Sequence, residues 1–143
     1  MSRARFVLDT DVIVAAMRSP KGASAAIVLA AMRREATLLL SVPLAIEYES
    51  KCTDKAHRAA AGLSRTEAQI FVDTLLASAE PVTIYFLWRP QLLDPNDEMV
   101  LETAVNGRAD AIVTFNTRHF TSSPERFGLE ILLPRDALKR ISA

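Results

Sequence analysis

Short apolar runs alternate along the chain with segments whose apolar residues recur at helical spacing. The runs predict five strands, namely Arg5–Thr10, Thr37–Ser41, Val82–Leu87, Ala111–Thr114 and Leu129–Leu133. Helical periodicity, caps and prolines predict six helices between and after the strands. The first three are 11–17, Ala23–Glu35 and a helix that starts at Pro43 and frays at 54–62. The fourth is capped by Ser64 and Glu67, the fifth runs from Asp94 and Pro95 to Asn106 and Gly107, and the last covers 134–141.

Strands that alternate with helices are typical of a parallel sheet covered on both faces. We therefore predict an α/β protein with three layers, α/β/α, around a central parallel sheet of about five strands. The 143 residues contain no repeat or low-complexity tract, and half of them are apolar. This length and composition predict a single domain over residues 1–143.

Charge and cysteine content restrict the function further. Seventeen Lys and Arg balance seventeen Asp and Glu, so a nucleic-acid contact would need a local basic patch. The one cysteine, Cys52, cannot form an intramolecular disulfide, and the N-terminus turns directly into a strand. The longest apolar run, Ala23–Met32, is well short of the ~20 residues of a membrane span. We expect a cytoplasmic protein without a membrane segment.

Three acidic residues stand where the predicted elements place functional side chains. Asp9 follows the first strand at its carboxyl end, where open parallel sheets bind ligands. Asp97 shares a helix face with the apolar residues three, four and seven positions later. Glu47 lies at the edge of the apolar face of its helix. Structural alternatives stay open: Asp9 or Asp11 can cap a helix, Asp97 can belong to a capping box, and Glu47 can be solvated.

Converging carboxylates suit one reaction in particular, metal-assisted hydrolysis of a phosphodiester. Hard divalent ions take oxygen ligands, lower the pKa of a bound water and neutralise phosphoryl charge. Without an ion the carboxylates repel one another, so clustering them costs stability.

Three segments of the chain carry a resemblance to a known family. Phe6–Ala15 (FVLDTDVIVA), Ser41–Tyr48 (SVPLAIEY) and Leu93–Phe120 resemble the PIN-domain family, and within it the VapC-like toxins of bacterial toxin–antitoxin pairs. With the intervening elements, the resemblance covers nearly the whole chain. It implies a ribonuclease that uses Mg²⁺ or Mn²⁺, a cognate antitoxin protein as partner, and a homodimer.

The resemblance also implies roles for single residues. Asp9, Glu47 and Asp97 match the acids that bind the metal in that family, and Asp11 stands where relatives often carry Asn, so it could add a ligand or a supporting contact. Relatives commonly place a fourth acid in the segment 113–120, where this chain has Asn116 and His119. An amide such as that of Asn116 can orient a water or coordinate weakly, but it brings no charge. Thr114 resembles the supporting hydroxyl residue at the family's strand end.

Basic and aromatic residues near these segments are candidates for RNA contact. We expect Arg89, Arg118 and His119 to line an RNA groove, with Arg108 nearby. A second basic cluster comprises Lys51, Lys55, His57 and Arg58. Phe86 and Trp88 could stack on bases or pack in a core or dimer interface. Glu98 and Glu102 point away from the apolar stripe of their helix and are expected to be solvated.

Two alternatives to the nuclease remain at this point. Asp9-Thr10-Asp11 after a hydrophobic strand also resembles the nucleophile loop of haloacid-dehalogenase-like phosphatases, but no lysine lies between Lys55 and Lys139 to complete such a site. The other alternative is a PIN-like binding or regulatory module without catalysis, which the absence of an acid at Asn116 favours.

Overall fold

A computed structural model describes residues 3–85, 94–120 and 128–142. Its strands are β1 Ala4–Leu8, β2 Ala36–Leu40, β3 Glu80–Pro81, β4 Ala111–Val113 and β5 Glu130–Leu132. Its helices are α1 Thr10–Arg18, α2 Ala23–Met32, α3 Val42–Thr53, α4 Lys55–Ala60, α5 Arg65–Ser78, α6 Pro95–Asn106 and α7 Pro134–Ser142, with a 3₁₀ turn at Thr117–Phe120.

The sheet is parallel throughout the described residues and has the order β3-β2-β1-β4-β5. This confirms the predicted α/β class with a central five-stranded sheet between helical layers. β1 occupies the middle because its residues Phe6, Val7 and Leu8 are almost completely buried, as a strand covered on both faces requires. Leu8 pairs with Val113 of β4, so these two strands end side by side.

Two buried polar contacts fix helices to the carboxyl edge of the sheet. The hydroxyl of Tyr48 in α3 donates a hydrogen bond to the carbonyl oxygen of Leu8, the last residue of β1. The hydroxyls of Ser41, just before α3, and Thr103 in α6 are 2.7 Å apart and share a hydrogen bond. Because a buried polar group without a partner is costly, these contacts hold α3 and α6 in place beside the strand ends.

The third strand differs from its predicted position. It covers Glu80–Pro81 instead of Val82–Leu87, and Val82–Tyr85 is not a strand, while Phe86 and Leu87 lie outside the described residues. The reason is its neighbour. β2, which pairs with β3, ends at Leu40, and the chain then turns into α3. The N–H of Val82 donates a hydrogen bond of 2.9 Å to the carbonyl oxygen of Leu40. This is the last backbone partner that β2 offers, so β3 does not continue further.

Local capping explains where several helices begin. Asp9 is the N-cap of α1, so β1 stops at Leu8 and not at the predicted Thr10. The expected fraying after Thr53 was wrong, because the Asp54 side chain accepts hydrogen bonds from the next helical N–H groups and starts α4. The predicted capping box of Ser64 and Glu67 is present at the start of α5.

The expectation that Glu98 and Glu102 are solvated was also wrong. Their exposed fractions are 3% and 5%. The apolar stripe of α6 accounts for only one side of that helix, whereas the structure also buries its polar residues Asp97, Glu98, Glu102 and Thr103. A single apolar stripe therefore underestimates how far a helix next to a central strand is covered.

Burial also changes the pKa of the Cys52 thiol. The Cys52 thiol is fully buried in α3, and burial raises its pKa to about 12.

Within the described part of the chain, no single helix is long and apolar enough to cross a membrane; α1 and α2 meet that length and composition only as a pair bent by 96°.

Gly107 marks a close approach between the end of α6 and the sheet. Its φ of −88° is open to any residue, so glycine is not needed there for a left-handed turn. A Cβ at this position would instead lie 2.8 Å from Cγ2 of Val82, 2.9 Å from the carbonyl oxygen of Thr103 and 3.1 Å from Cδ1 of Leu39. Because Gly107 has no side chain, the end of α6 can pack closely against β2 and the segment after β3.

We predict that Gly107→Ala lowers the free energy of unfolding by about 1–3 kcal/mol, because the backbone carbonyl of Thr103 cannot move aside. Urea denaturation measures the change. Gly22→Ala is the matched control, since its Cβ would meet the flexible Ser19 side chain at 3.3 Å. Equal stabilities for the two variants would contradict the close-approach explanation.

Candidate functional site

A cavity of about 630 Å³ opens at the carboxyl ends of β1 and β4. This is the edge at which open parallel sheets bind ligands. Acidic side chains from separate elements line it: Asp9, Asp11, Glu47, Asp94 and Asp97. The permanently charged cations in its wall are Arg18 and Lys51. The described wall is therefore acidic, with a basic portion formed by α1 and α3.

Asp9 occupies the centre of this edge and is 9% exposed. Its Oδ2 accepts a hydrogen bond of 2.8 Å from the hydroxyl of Thr114, which directly follows β4, and its Oδ1 accepts one of 2.8 Å from the N–H of Thr10. The side chain of Asp9 therefore both caps α1 and lines the cavity. Burial raises the pKa of Asp9, and these hydrogen bonds partly oppose that rise.

Asp11 lies two residues further on, in the first turn of α1. Its Oδ2 accepts hydrogen bonds from the backbone N–H of Phe115 at 3.2 Å and from Nδ2 of Asn116 at 3.1 Å. Its Oδ1 is buried without a hydrogen-bond partner. Burial and, secondarily, the charge of Asp9 raise the pKa of Asp11 to about 6. Part of the population therefore holds a proton near neutral pH.

Asp97 enters the cavity from the first turn of α6 and is 6% exposed. Its Oδ2 lies 3.0 Å from Nδ1 of His119 in the 3₁₀ turn. Burial, together with the charges of Asp9 and Asp94, raises the pKa of Asp97, and His119 opposes that rise. His119 thus contacts a carboxylate of the cavity directly.

Glu47 faces the cavity from α3 and is half-buried. Its position follows from the next residue, Tyr48, whose hydroxyl is bonded to the end of β1. Among the described residues, Glu47 makes no hydrogen bond and no salt bridge to another side chain. Its carboxylate is consequently available to a cation that enters the cavity.

The structure brings together most, but not all, of the candidates from the sequence. Asn116, His119, Lys51 and His57 line the cavity, whereas Arg118 does not. Arg89, Phe86 and Trp88 lie outside the described residues.

Sequence reasoning named Asp11 and Lys51 but missed the rest of the wall that α1 provides. Asp11, Val14, Ala15 and Arg18 all line the cavity and follow one another at helical spacing of three, four and seven positions. Lys51 similarly follows Glu47 by four positions on α3. Extending each acid along its own helix face would have found these residues from the sequence.

The carboxylates do not yet form a closed metal centre. Within residues 3–85, 94–120 and 128–142, no group of three His, Cys, Asp or Glu side chains is arranged so that it could hold an ion. Asp9, Asp11 and Asp97 instead accept hydrogen bonds from neighbouring groups. An ion would have to draw the acids closer together than they are here.

Comparisons with known proteins agree with this fold. A search of curated protein sequences found no significant match. Among solved structures, a chain of the VapBC2 complex from Rickettsia felis, crystallised with a DNA fragment from its promoter, superposes with a TM-score of 0.64 and 18% identity, over 89% of this chain and 98% of that one. A family model for the PIN domain matches residues 5–118. That match spans β1 through the 3₁₀ turn and leaves the phosphatase alternative without support, so the chain belongs to the PIN-domain family.

Proposed function

We propose that this protein is an endoribonuclease that depends on Mg²⁺ or Mn²⁺ and acts as the VapC-like toxin of a toxin–antitoxin pair. The observation that carries the proposal is the meeting of Asp9, Asp11, Glu47 and Asp97 around one cavity at the carboxyl edge of the sheet. Membership of the PIN-domain family supports a nuclease, because PIN domains are generally nucleases.

The side chains of the cavity fit a hard divalent cation by their chemistry. All four acids offer carboxylate oxygens, which Mg²⁺ and Mn²⁺ prefer. Oδ1 of Asp11 is buried and has no hydrogen-bond partner, a condition that a cation would relieve. Asp9, Glu47 and Asp97 would hold the ion, with Asp11 as a further ligand or supporting group. When bound, the ion would activate water and offset phosphoryl charge.

The remaining residues of the wall would orient the acids and the substrate. Thr114, Asn116 and His119 each make a hydrogen bond to one of the carboxylates, so they limit how far it can rotate. Arg18 and Lys51 place positive charge beside the acids, where they can hold the phosphates that flank the cleaved bond.

The other parts of the proposal rest on the likeness to toxin–antitoxin proteins. The similar VapBC2 chain comes from a complex of that kind. We extend this to a cognate antitoxin, a homodimer and a cytoplasmic location for the present protein. RNA recognition would use the basic part of the cavity wall, with Arg89 and Arg118 as further candidates.

A PIN-like module without catalysis is the second candidate, and two observations favour it. Asn116 and His119 occupy the two positions at one of which relatives commonly place a fourth acid, and the described carboxylates do not form a closed metal centre. A protein of this kind would bind a cation or RNA without turnover, which separates it experimentally from the nuclease.

Cleavage of a labelled single-stranded RNA by the purified protein tests the main proposal. We expect cleavage with Mg²⁺ or Mn²⁺ and none with a chelator, because carboxylates without an ion cannot offset the negative charge that develops on the phosphoryl group. Asp9→Asn, purified identically, should show none, which excludes contaminating nuclease. Metal-dependent stabilisation of the wild-type protein without any RNA cleavage would favour the non-catalytic module.

We predict that Asp97→Asn lowers turnover by about a hundredfold or more, since it removes a charged ligand but keeps the shape of the side chain. Its circular dichroism should match that of the wild type. Asp73→Asn, which alters an exposed carboxylate outside the cavity, should retain full activity. Near-normal turnover in Asp97→Asn would remove this residue from the mechanism.

Asp11→Asn should stabilise the metal-free protein near neutral pH. The folded-state pKa of about 6 exceeds the ordinary value of 3.8, so the wild type folds with an unfavourable buried charge at higher pH. The whole shift in the pKa of Asp11 corresponds to about 3 kcal/mol in the free energy of unfolding. Solvent screening of a half-buried group reduces this to about 1–2 kcal/mol.

As the pH falls through 6 towards 3.8, the folded wild type takes up a proton and its stability rises, so the gap between the two proteins closes. Urea denaturation with chelator at about pH 7.5 and about pH 4.5 measures this change. A stability difference between the two proteins that does not depend on pH would show that burial does not disfavour the charged form of Asp11.

A further inference from the structure

A second cavity, of about 380 Å³, adjoins the carboxylate cavity. The two cavities share Ala15, Ser19 and Phe115 in their walls. The two cavities therefore lie side by side, so a single extended ligand could contact both.

The second cavity has the opposite electrostatic character. Its described wall contains no carboxylate, and its one charged residue is Arg135, at the start of α7. Apolar groups of Leu133 and Pro134 form another part of that wall. A flat, uncharged ring attached to an anionic group suits such a cavity, whereas a cation does not.

Phe115 stands between the two cavities, and its side chain is unusually accessible for a large aromatic residue. The residue directly follows Thr114 and is 49% exposed. Its backbone N–H donates a hydrogen bond of 3.2 Å to Oδ2 of Asp11, and the next residue, Asn116, donates a second bond to the same oxygen. The backbone that carries the ring is thus bonded to the carboxylate of Asp11.

We infer that Phe115 stacks on a base of the RNA, next to the phosphate that is cleaved, and that this base enters the second cavity. The inference rests on the proposed nuclease function and extends it to substrate recognition. A nucleotide joins an anionic phosphate through one sugar to a flat, uncharged base. The carboxylate cavity would hold the phosphate, and the adjoining second cavity would hold the base. Stacking on an aromatic ring suits every base, so Phe115 contributes affinity, and the shape of the cavity wall selects among bases.

Binding of a short randomised single-stranded RNA that carries 2-aminopurine tests the inference independently of cleavage. Ca²⁺ replaces Mg²⁺ or Mn²⁺ in this assay because it also takes oxygen ligands, and a gel confirms that the RNA stays intact. We expect the wild-type protein to quench the fluorescence of the stacked base. Phe115→Ala should lose this quenching and bind roughly ten- to a hundredfold more weakly, while Phe115→Trp should retain both properties.

Leu29→Ala is the matched control, because Leu29 is another exposed apolar residue, at 44%, and lines neither cavity. Equal melting temperatures of the variants would exclude a folding defect. In the cleavage assay, the loss in Phe115→Ala should be mainly an increase in KM.

The outcomes separate the inference from the proposed function. RNA cleavage and RNA affinity that are the same in the wild type and Phe115→Ala would overturn the stacking role and leave the nuclease intact. A wild-type protein that neither binds nor cleaves RNA would overturn the proposed function and this inference with it.

Discussion

The site depends on the hydrogen bond that the Thr114 hydroxyl donates to Asp9 between the ends of two adjacent strands. Parallel pairing brings Leu8 and Val113 level, so the residues that follow them emerge at the same point of the sheet edge. One of these carries a carboxylate and the other a hydroxyl that can donate to it. This pairing allows a charged group to remain at the buried end of β1, and the first turn of α1 begins from the same side chain.

Around this contact the fold accepts an electrostatic cost and reduces it with hydrogen-bond partners for the carboxylates. Burial raises the pKa values of Asp9, Asp11 and Asp97, which means that their charged forms are disfavoured in the metal-free protein. The amide of Asn116 and the ring of His119 each contact one of these carboxylates. Asn116 and His119 bring no carboxylate to the cavity and give the acids there hydrogen-bond partners. A site of this composition relies less on a bound cation for its stability than an all-acid site would.

The general architecture could be predicted because it follows from local rules. Alternating strands and helices determine the α/β class, and the caps at Asp9, Ser64 and Asp94 determine where helices begin. The meeting of the acids could be predicted in outline, since Asp9 ends a strand and Asp97 shares a face with buried residues. Long-range facts could not be predicted in this way. The length of β3 depends on where its neighbour ends, and the burial of Glu98 depends on what covers α6 from outside its own apolar stripe. The cavity beside Phe115 likewise depends on α7, which is distant in sequence.

The buried thiol of Cys52 makes the protein well suited to chemical labelling. A thiol reacts with alkylating reagents as the thiolate, and a pKa of about 12 in a fully buried position keeps Cys52 protonated and inaccessible while the protein is folded. Because this is the only cysteine in the chain, a second cysteine placed at the mouth of the cavity would take up a fluorophore or spin label alone. Movements of the 3₁₀ turn relative to α1 could then be followed in solution without first removing a native cysteine.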